Sequence, residues 1–275
     1  MKPSQLAINS ISTSGKGLED RLSAYADAGF RNVEFYLPHL KDFLKTGKTT
    51  VDVNRLLESH QLRVIGGFEG IVRCFADKEE WSQNRQQIIA NARLLHEIGG
   101  GGVLVVGTDG PANPTKDPLG VMARRFATLG RQIARFDVRL AIEFNWSPLI
   151  KSLRTAVEVA RRSEEPNIGV LLDPAHYHCT PTKFDQINAE NVPFIQHVHV
   201  NDMADKPGEL SNCNDDRRLP GEGILDLQAL FRALQRHGYD GFYSIEMFDK
   251  QIWKLNARNA AQKLYESLLP FTTGR

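Results

Sequence analysis

The segment of residues 139–173 reads RLAIEFNWSPLIKSLRTAVEVARRSEEPNIGVLLD and contains two short apolar runs, 139–144 and 168–173. Residues 148–162, between the two runs, have a helical pattern. A strand, a helix and a second strand in this order predict parallel strands joined by a right-handed crossover. Consecutive positions of both runs are apolar, as in strands that are covered on both faces.

The same alternation of short apolar runs and helical segments extends over the rest of the chain. Eight runs are predicted to be strands: 6–11, 32–37, 62–68, 103–107, 139–144, 168–173, 195–200 and 241–248. Pro38 ends the second run, and a helix over 251–269 closes the chain.

Eight βα units in 275 residues predict a protein of the α/β class, a single (β/α)8 TIM barrel over residues 1–275. A doubly wound open sheet is the alternative. It usually shows Gly-x-Gly-x-x-Gly after the first strand, whereas residues 12–17 here read STSGKG. The barrel is therefore the favoured fold.

The composition excludes several classes of protein. Hydrophobic residues make up 41% of the chain and charged residues 24%, which is ordinary for a folded domain. With 34 basic and 33 acidic residues the net charge is +1, so we expect no nucleic-acid partner. No run approaches the roughly 18–20 apolar residues that a membrane span needs, so we expect no membrane partner either.

The three cysteines, Cys74, Cys179 and Cys213, are widely spaced. Their odd number and spacing predict neither a zinc module nor a disulfide framework, and they favour a reduced compartment. Residues 1–10 turn polar before an apolar signal region forms, so we expect a cytoplasmic location. The sequence does not determine the oligomeric state, and it is compatible with a homo-oligomer.

Four consecutive predicted strands end in a carboxylate or an imidazole: Glu143, Asp173, His199 and Glu246. Catalytic residues of a (β/α)8 barrel lie at the carboxyl ends of its strands, so these four side chains should converge at one mouth. Each alone could be a helix N-cap or part of a loop salt bridge. Together, three carboxylates need a cation, and with one imidazole they suit one divalent ion such as Mn²⁺, Zn²⁺, Co²⁺ or Mg²⁺.

Several neighbours of these four residues are further candidates. His176 should lie just beyond its strand, where it could hold a substrate hydroxyl or a carboxylate. His197 points to the same side as His199, one layer deeper, and is expected to have a supporting role. In the polar loop 214–223, either Arg217 or Arg218 could bind a substrate oxygen; without the neighbouring candidate ligands, a solvated turn would be the preferred interpretation.

Strands two and three contain two more glutamates, Glu34 and Glu69, that could face the pocket. Gly66 and Gly67 interrupt strand three, where glycine permits a bulge or a close approach of a ligand. The glycines at 99–102 precede strand four and are interpreted as a helix stop and a turn.

The strand ends resemble the xylose-isomerase-like TIM-barrel superfamily of sugar isomerases and epimerases, over nearly the whole chain. The resemblance rests on residues 142–144, 172–176, 197–202, 216–223 and 244–248. Residues 246–248, 253–255 and 259–260, and the acidic loop before Arg217, are most similar to the subgroup of 2-keto-myo-inositol (inosose) isomerases.

This resemblance implies a function for each candidate residue. Glu143, Asp173, His199 and Glu246 would be the metal ligands, and Glu143 and Glu246 would be catalytic groups that flank the reacting carbons. His176 and Arg217 would contact oxygens of the substrate, a small sugar or a cyclic polyol ketone.

The expected chemistry is proton transfer next to a carbonyl through an enediolate. The same residues would serve a dehydratase that expels a hydroxyl group, acting on 3-dehydroshikimate or an inosose. A barrel that only binds a polyol is the alternative outside the enzymes. Endonuclease IV, which shares the barrel, needs more histidines for three zinc ions than these strand ends provide.

Overall fold

Eight parallel strands close into a barrel in a computed structural model of the chain, which describes residues 1–272. The barrel strands are β1 (Leu6–Asn9), β2 (Asn32–Tyr36), β3 (Arg63–Val72), β4 (Gly102–Thr108), β5 (Val138–Glu143), β6 (Ile168–Leu172), β7 (Ile195–Val200) and β10 (Tyr243–Ile245). Their order around the barrel is β1-β10-β7-β6-β5-β4-β3-β2, so the first and last strands pair. The predicted (β/α)8 barrel is confirmed, and residues 273–275 of the predicted domain lie outside the described residues.

The two remaining strands form a short antiparallel hairpin above the barrel. β8 (Asp202–Met203) pairs with β9 (Arg217–Arg218), with Met203 opposite Arg217.

Helices surround the barrel. They are α1 (Leu18–Ala28), α2 (Leu37–Lys45), α3 (Thr50–Ser59), α4 (Lys78–Gly99), α5 (Pro118–Ile133), α6 (Leu153–Ser163), α7 (Pro174–Cys179), α8 (Leu227–Arg236), α9 (Lys250–Lys254) and α10 (Ala257–Leu268). Within residues 1–272, no helix has both the length and the apolar character needed to cross a membrane.

Alternating side chains of each strand serve two different cores. In β5, Leu140 and Ile142 pack in the large cluster shared with the helices. Ala141 points into the barrel, in a small apolar cluster with Leu171 of β6 and two valines of β4. Glu143 has the same parity as Ala141, and the pleat therefore places its carboxylate at the carboxyl end of the barrel interior.

Two helix boundaries differ from the sequence-based prediction. Pro38 does not merely stop β2: it lies in the first turn of α2, where a missing N–H costs little. The predicted helix over 251–269 is two helices, because Asn256 is extended and its side chain accepts a hydrogen bond from Asn259 N to begin α10.

Gly100 has the predicted role of a helix stop, and Gly66 lies at a register shift between β2 and β3, in agreement with the predicted bulge. Gly100 follows α4 in a left-handed conformation, with φ of 77°, as a C-cap. In β3, a Cβ on Gly66 would lie 2.2 Å from the carbonyl oxygen of Val103, so only glycine permits this approach of β4.

The contact of His39 in α2 with Arg21 makes a pH-dependent contribution to the free energy of unfolding. His39 Nδ1 lies 2.8 Å from Arg21 Nη1, and burial together with this guanidinium lowers the pKa of His39 to about 4. The unfolded chain binds the proton at about 6.5. His39 therefore contributes stability that is present above about pH 6.5 and is lost as the pH falls towards 4.

We expect a His39→Gln variant to lose less stability than the wild type between pH 7 and pH 4, because glutamine cannot take up the proton. Urea denaturation at several pH values measures the free energy of unfolding. The exposed His96 provides a matched His96→Gln control, which should follow the wild-type slope. Equal slopes for wild type and His39→Gln would contradict the assignment.

Candidate active site

The carboxyl end of the barrel brings together the four residues predicted from the strand ends. Glu143 ends β5, Asp173 follows β6, His199 lies in β7 and Glu246 follows β10. One donor atom from each of Glu143, Asp173 and His199 lies within 4.8 Å of the other two. Glu246 Oε2 lies 3.2 Å from His199 Nδ1, so the fourth residue adjoins this group.

Asp173 is the N-cap of α7 and also faces the other candidate ligands. Its Oδ1 accepts hydrogen bonds from Ala175 N at 2.7 Å, as the N-cap of α7, and from Asn201 Nδ2 at 2.9 Å. Its Oδ2 points into the cluster, 3.4 Å from His199 Nδ1. The cap thus orients a carboxylate whose second oxygen is directed at the other candidate ligands.

Arg217 is the arginine of the polar loop that enters the site. Nη1 donates to Glu246 Oε2 at 2.8 Å, and Nη2 donates to Asp173 Oδ2 at 3.1 Å. Nε donates to the carbonyl oxygen of Cys213. Arg217 is buried, whereas Arg218 is exposed and its side chain donates to the carbonyl oxygen of Arg217.

The loop that carries Arg217 is fixed by a buried carboxylate, Asp202, just after β7. Asp202 Oδ2 accepts from the amides of Gly221 and Gly223, both at 3.1 Å, and Oδ1 accepts from Leu225 N at 3.0 Å. Three amides from one loop on one side chain hold the guanidinium in place relative to the barrel.

The cationic side chains of the cluster balance its carboxylates. Burial alone would raise the pKa of Glu143, but His176 and His199 lower it below its usual range. Burial likewise opposes ionisation of Asp173, but Arg217 and His176 hold its pKa well below the usual range.

The pKa values of the two histidines in the cluster shift in the opposite direction. Burial opposes the charge on His176, yet the carboxylates of Glu143 and Asp173 raise its pKa to about 10. Burial also opposes the charge on His199, whose pKa is raised well above its usual value by Glu246 and Glu34. Without an ion, the ionised carboxylates of Glu143 and Asp173 therefore lie next to the protonated rings of His176 and His199.

The structure places the other candidates in different surroundings. His176 Nε2 lies 3.4 Å from Glu143 Oε1 and its ring faces the site cavity. Glu34 is fully buried below the cluster, beside His197 and His199. Glu69 turns away and forms an ion pair with Lys41.

Two asparagines that orient the candidate ligands were missed by the sequence analysis. Asn9 Nδ2 donates to Glu246 Oε1 at 3.2 Å, and Asn201 donates to Asp173. Asn9 ends β1 and Asn201 follows β7, so the same inspection of strand ends could have found both.

A cavity of about 350 Å³ opens above these residues. Four predicted site residues line it: Glu143, His176, Arg217 and Glu246. The aromatic side chains of Phe68, Trp146 and Phe248 also line it, which the sequence analysis did not foresee. The volume lies within the range of small-molecule sites.

The donor set fits a divalent cation. Three carboxylates and one imidazole are ligands that Zn²⁺, Mn²⁺, Co²⁺ and Mg²⁺ accept in different proportions. Donor atoms of Glu143, Asp173 and His199 lie close enough to share one ion, and Glu246 adjoins them beside His199.

The chain belongs to the xylose isomerase-like TIM barrel family, whose sequence pattern matches residues 22–269. Inosose isomerase from Bacillus subtilis (strain 168) is 30% identical over 130 residues, which are 46% of this chain and 46% of the relative. A 3-dehydroshikimate dehydratase from Pseudomonas aeruginosa is 28% identical over 261 residues, 89% of this chain and 38% of that enzyme. The matches thus span less than half the length of these curated relatives.

Among solved structures, the crystal structure of the IolI protein with a bound zinc atom superposes with a TM-score of 0.87. The two proteins share 20% sequence identity over 97% of each chain. This similarity supports the same fold.

Proposed function

We propose that this protein is a metal-dependent isomerase or epimerase that acts on a small sugar or a cyclic polyol ketone of the inosose type. The observation that carries the proposal is that Glu143 and Glu246 both line one cavity, beside a donor group able to hold a divalent ion. The inosose isomerase relatives support the choice of substrate class.

Four residues would hold the ion: Glu143, Asp173, His199 and Glu246. When bound, a divalent cation polarises a ketone and its neighbouring hydroxyl group and stabilises the negative charge that develops on them. Arg217 and Asn9 fix the orientation of Glu246, and the cap of α7 fixes that of Asp173.

The two glutamates would move the proton. One carboxylate removes the proton from the carbon next to the carbonyl, and the same or the other carboxyl group returns a proton to the neighbouring carbon. The lowered pKa of Glu143 keeps it ionised near neutral pH, as a proton acceptor requires. The two residues come from β5 and the end of β10, with β6 and β7 between them, so they can approach a substrate from two sides.

Other residues of the cavity would bind the substrate. His176 and Arg217 both line it with polar atoms, and we propose that they contact substrate oxygens. Phe68, Trp146 and Phe248 offer apolar surfaces on which the C–H faces of a ring can pack. This mixture suits a neutral polyol, whose ring has polar edges and less polar faces.

A dehydratase is the second candidate function, because its reaction would develop the same negative charge on the substrate. The match to 3-dehydroshikimate dehydratase over 89% of this chain is the observation that favours it. Its product would be lighter than the substrate by one water, whereas an isomerase or epimerase conserves the mass.

We expect the metal-loaded protein to exchange solvent deuterium into an inosose or a ketose and to conserve the substrate skeleton. The experiment incubates inososes, ketoses, hydroxypyruvate and dehydroshikimate in D₂O with the protein loaded with Mn²⁺, Zn²⁺, Co²⁺ or Mg²⁺, followed by mass spectrometry. A chelator-treated sample is the control and should show no exchange. Absence of exchange with every ion and substrate would contradict the proposal and favour a barrel that only binds a polyol.

A further inference from the structure

Glu34 is a buried carboxylate that the proposed mechanism does not use. It lies in β2 inside the barrel and has no exposed surface. Both of its oxygens lie 3.1 Å from His199 Nε2. Oε2 also lies 3.0 Å from His197 Nε2, so two imidazoles adjoin this one side chain.

Each ring nitrogen of His199 therefore lies next to at least one carboxylate. Nε2 faces Glu34, below the cluster, and Nδ1 faces Asp173 at 3.4 Å and Glu246 at 3.2 Å. A neutral imidazole carries one N–H and one lone pair, and the partner of one nitrogen decides which nitrogen is the ligand. An ion held beside Asp173 and Glu246 would require Nδ1 to be unprotonated, so the remaining N–H would be on Nε2 and would be donated to Glu34.

We propose that Glu34 is a positioning residue that fixes His199 with Nε2–H donated to Glu34 and with Nδ1 as the metal ligand. His197 Nε2 lies 3.0 Å from Oε2 of the same carboxylate. The inference rests on the metal site of the proposed function, and Glu34 contacts neither the ion nor the substrate.

The same three residues allow a competing interpretation. Donor atoms of Glu34, His197 and His199 lie within 4.8 Å of one another and could hold a second ion. Both oxygens of Glu34 lie 3.1 Å from His199 Nε2, which is the separation of a direct hydrogen bond. Glu34 is fully buried and directs both of its oxygens at the same nitrogen of His199, so the geometry favours a hydrogen-bonded support.

The test compares zinc binding by the wild type and a Glu34→Gln variant, using isothermal titration calorimetry on the full chain. We expect one zinc ion per wild-type chain and an affinity about 10- to 100-fold lower in the variant, the usual loss when the partner of a ligating histidine is changed. Glu69→Gln is the matched control, since Glu69 lies on the neighbouring strand and pairs with Lys41. Its affinity should equal that of the wild type.

Nitrogen-15 NMR of the zinc-loaded wild type gives a second readout that needs no variant to fold. The expected spectrum shows Nε2 of His199 protonated and Nδ1 bound to zinc. A protonated Nδ1, two zinc ions per chain, or an unchanged affinity in folded Glu34→Gln would each overturn the positioning role.

These outcomes separate the inference from the proposed function. Reduced affinity in Glu34→Gln, without deuterium exchange by the wild type loaded with any of the four ions, removes the isomerase and retains the positioning role. Exchange by the wild type with unchanged affinity in the variant removes the positioning role and retains the isomerase.

Discussion

The Glu246→Gln variant is expected to lose turnover by about 10²- to 10⁴-fold, the usual contribution of a positioned general acid or base. Glutamine has nearly the same shape, and its amide oxygen can still accept one of the two hydrogen bonds that Arg217 and Asn9 donate to Glu246, so the fold should persist. It cannot accept a proton from carbon. The measurement is the rate of deuterium incorporation and of product formation by the metal-loaded protein, with bound metal determined in parallel.

The matched control for this variant is Glu190→Gln, because Glu190 is exposed and lies outside the cavity lining. It should retain wild-type turnover. Full activity of Glu246→Gln would exclude Glu246 from proton transfer. Lost activity with lost metal would assign it a ligand role instead, and lost activity with metal retained supports a role in proton transfer.

The Arg217→Met variant is expected to lower the free energy of unfolding of the metal-free protein by about 3–5 kcal/mol, the range for breaking a buried ion pair. Methionine occupies part of the arginine volume but leaves Asp173 and Glu246 without the cation that bonds to both. Zinc should reduce this loss, because a bound cation offsets the same negative charge. Urea denaturation with and without zinc measures both effects.

Arg218→Met is the control for this prediction. Arg218 is adjacent in sequence and exposed, and it makes no ion pair among the described residues. Its replacement should change the free energy of unfolding by no more than about 0.5 kcal/mol, as for ordinary surface positions. An equally small change for Arg217→Met would show that the guanidinium does not stabilise the two carboxylates.

The sequence predicted the barrel and the meeting of the four candidate ligands because both follow from one regularity. All strands of a parallel barrel have their carboxyl ends at the same end of the barrel. A carboxylate or imidazole that follows an apolar run is therefore predicted to lie at that end. Glu143, Asp173, His199 and Glu246 are all placed by this rule.

Features that depend on long-range contacts could not be predicted in the same way. The choice between Arg217 and Arg218 is made by the β8–β9 hairpin and by the Asp202 anchor, which single-residue patterns do not encode. Glu34 was recognised as a residue that could face the pocket, but its position beneath His199 depends on the closure of the barrel.

Local chemistry explains the differences at helix boundaries. Pro38 is compatible both with the end of a strand and with the first turn of a helix, and the sequence analysis considered only the former. The side chain of Asn256 accepts a hydrogen bond from Asn259 N, in place of a backbone carbonyl group. The last predicted helix is therefore divided into α9 and α10 at this residue.

The pairing of β1 with β10 has a consequence for the order of folding events. All four candidate ligands lie between residues 143 and 246, whereas Asn9 and Glu34, which orient two of them, come from the start of the chain. These supporting contacts span 237 and 165 residues, and such contacts carry a large loop-closure cost. A chain that has not yet joined its first and last strands would hold the ligands without their supports and would bind an ion weakly. Metal uptake during refolding should therefore coincide with the final closure of the barrel. The bound ion should stabilise the closed barrel by about 1.4 kcal/mol for each tenfold excess of free ion over its dissociation constant.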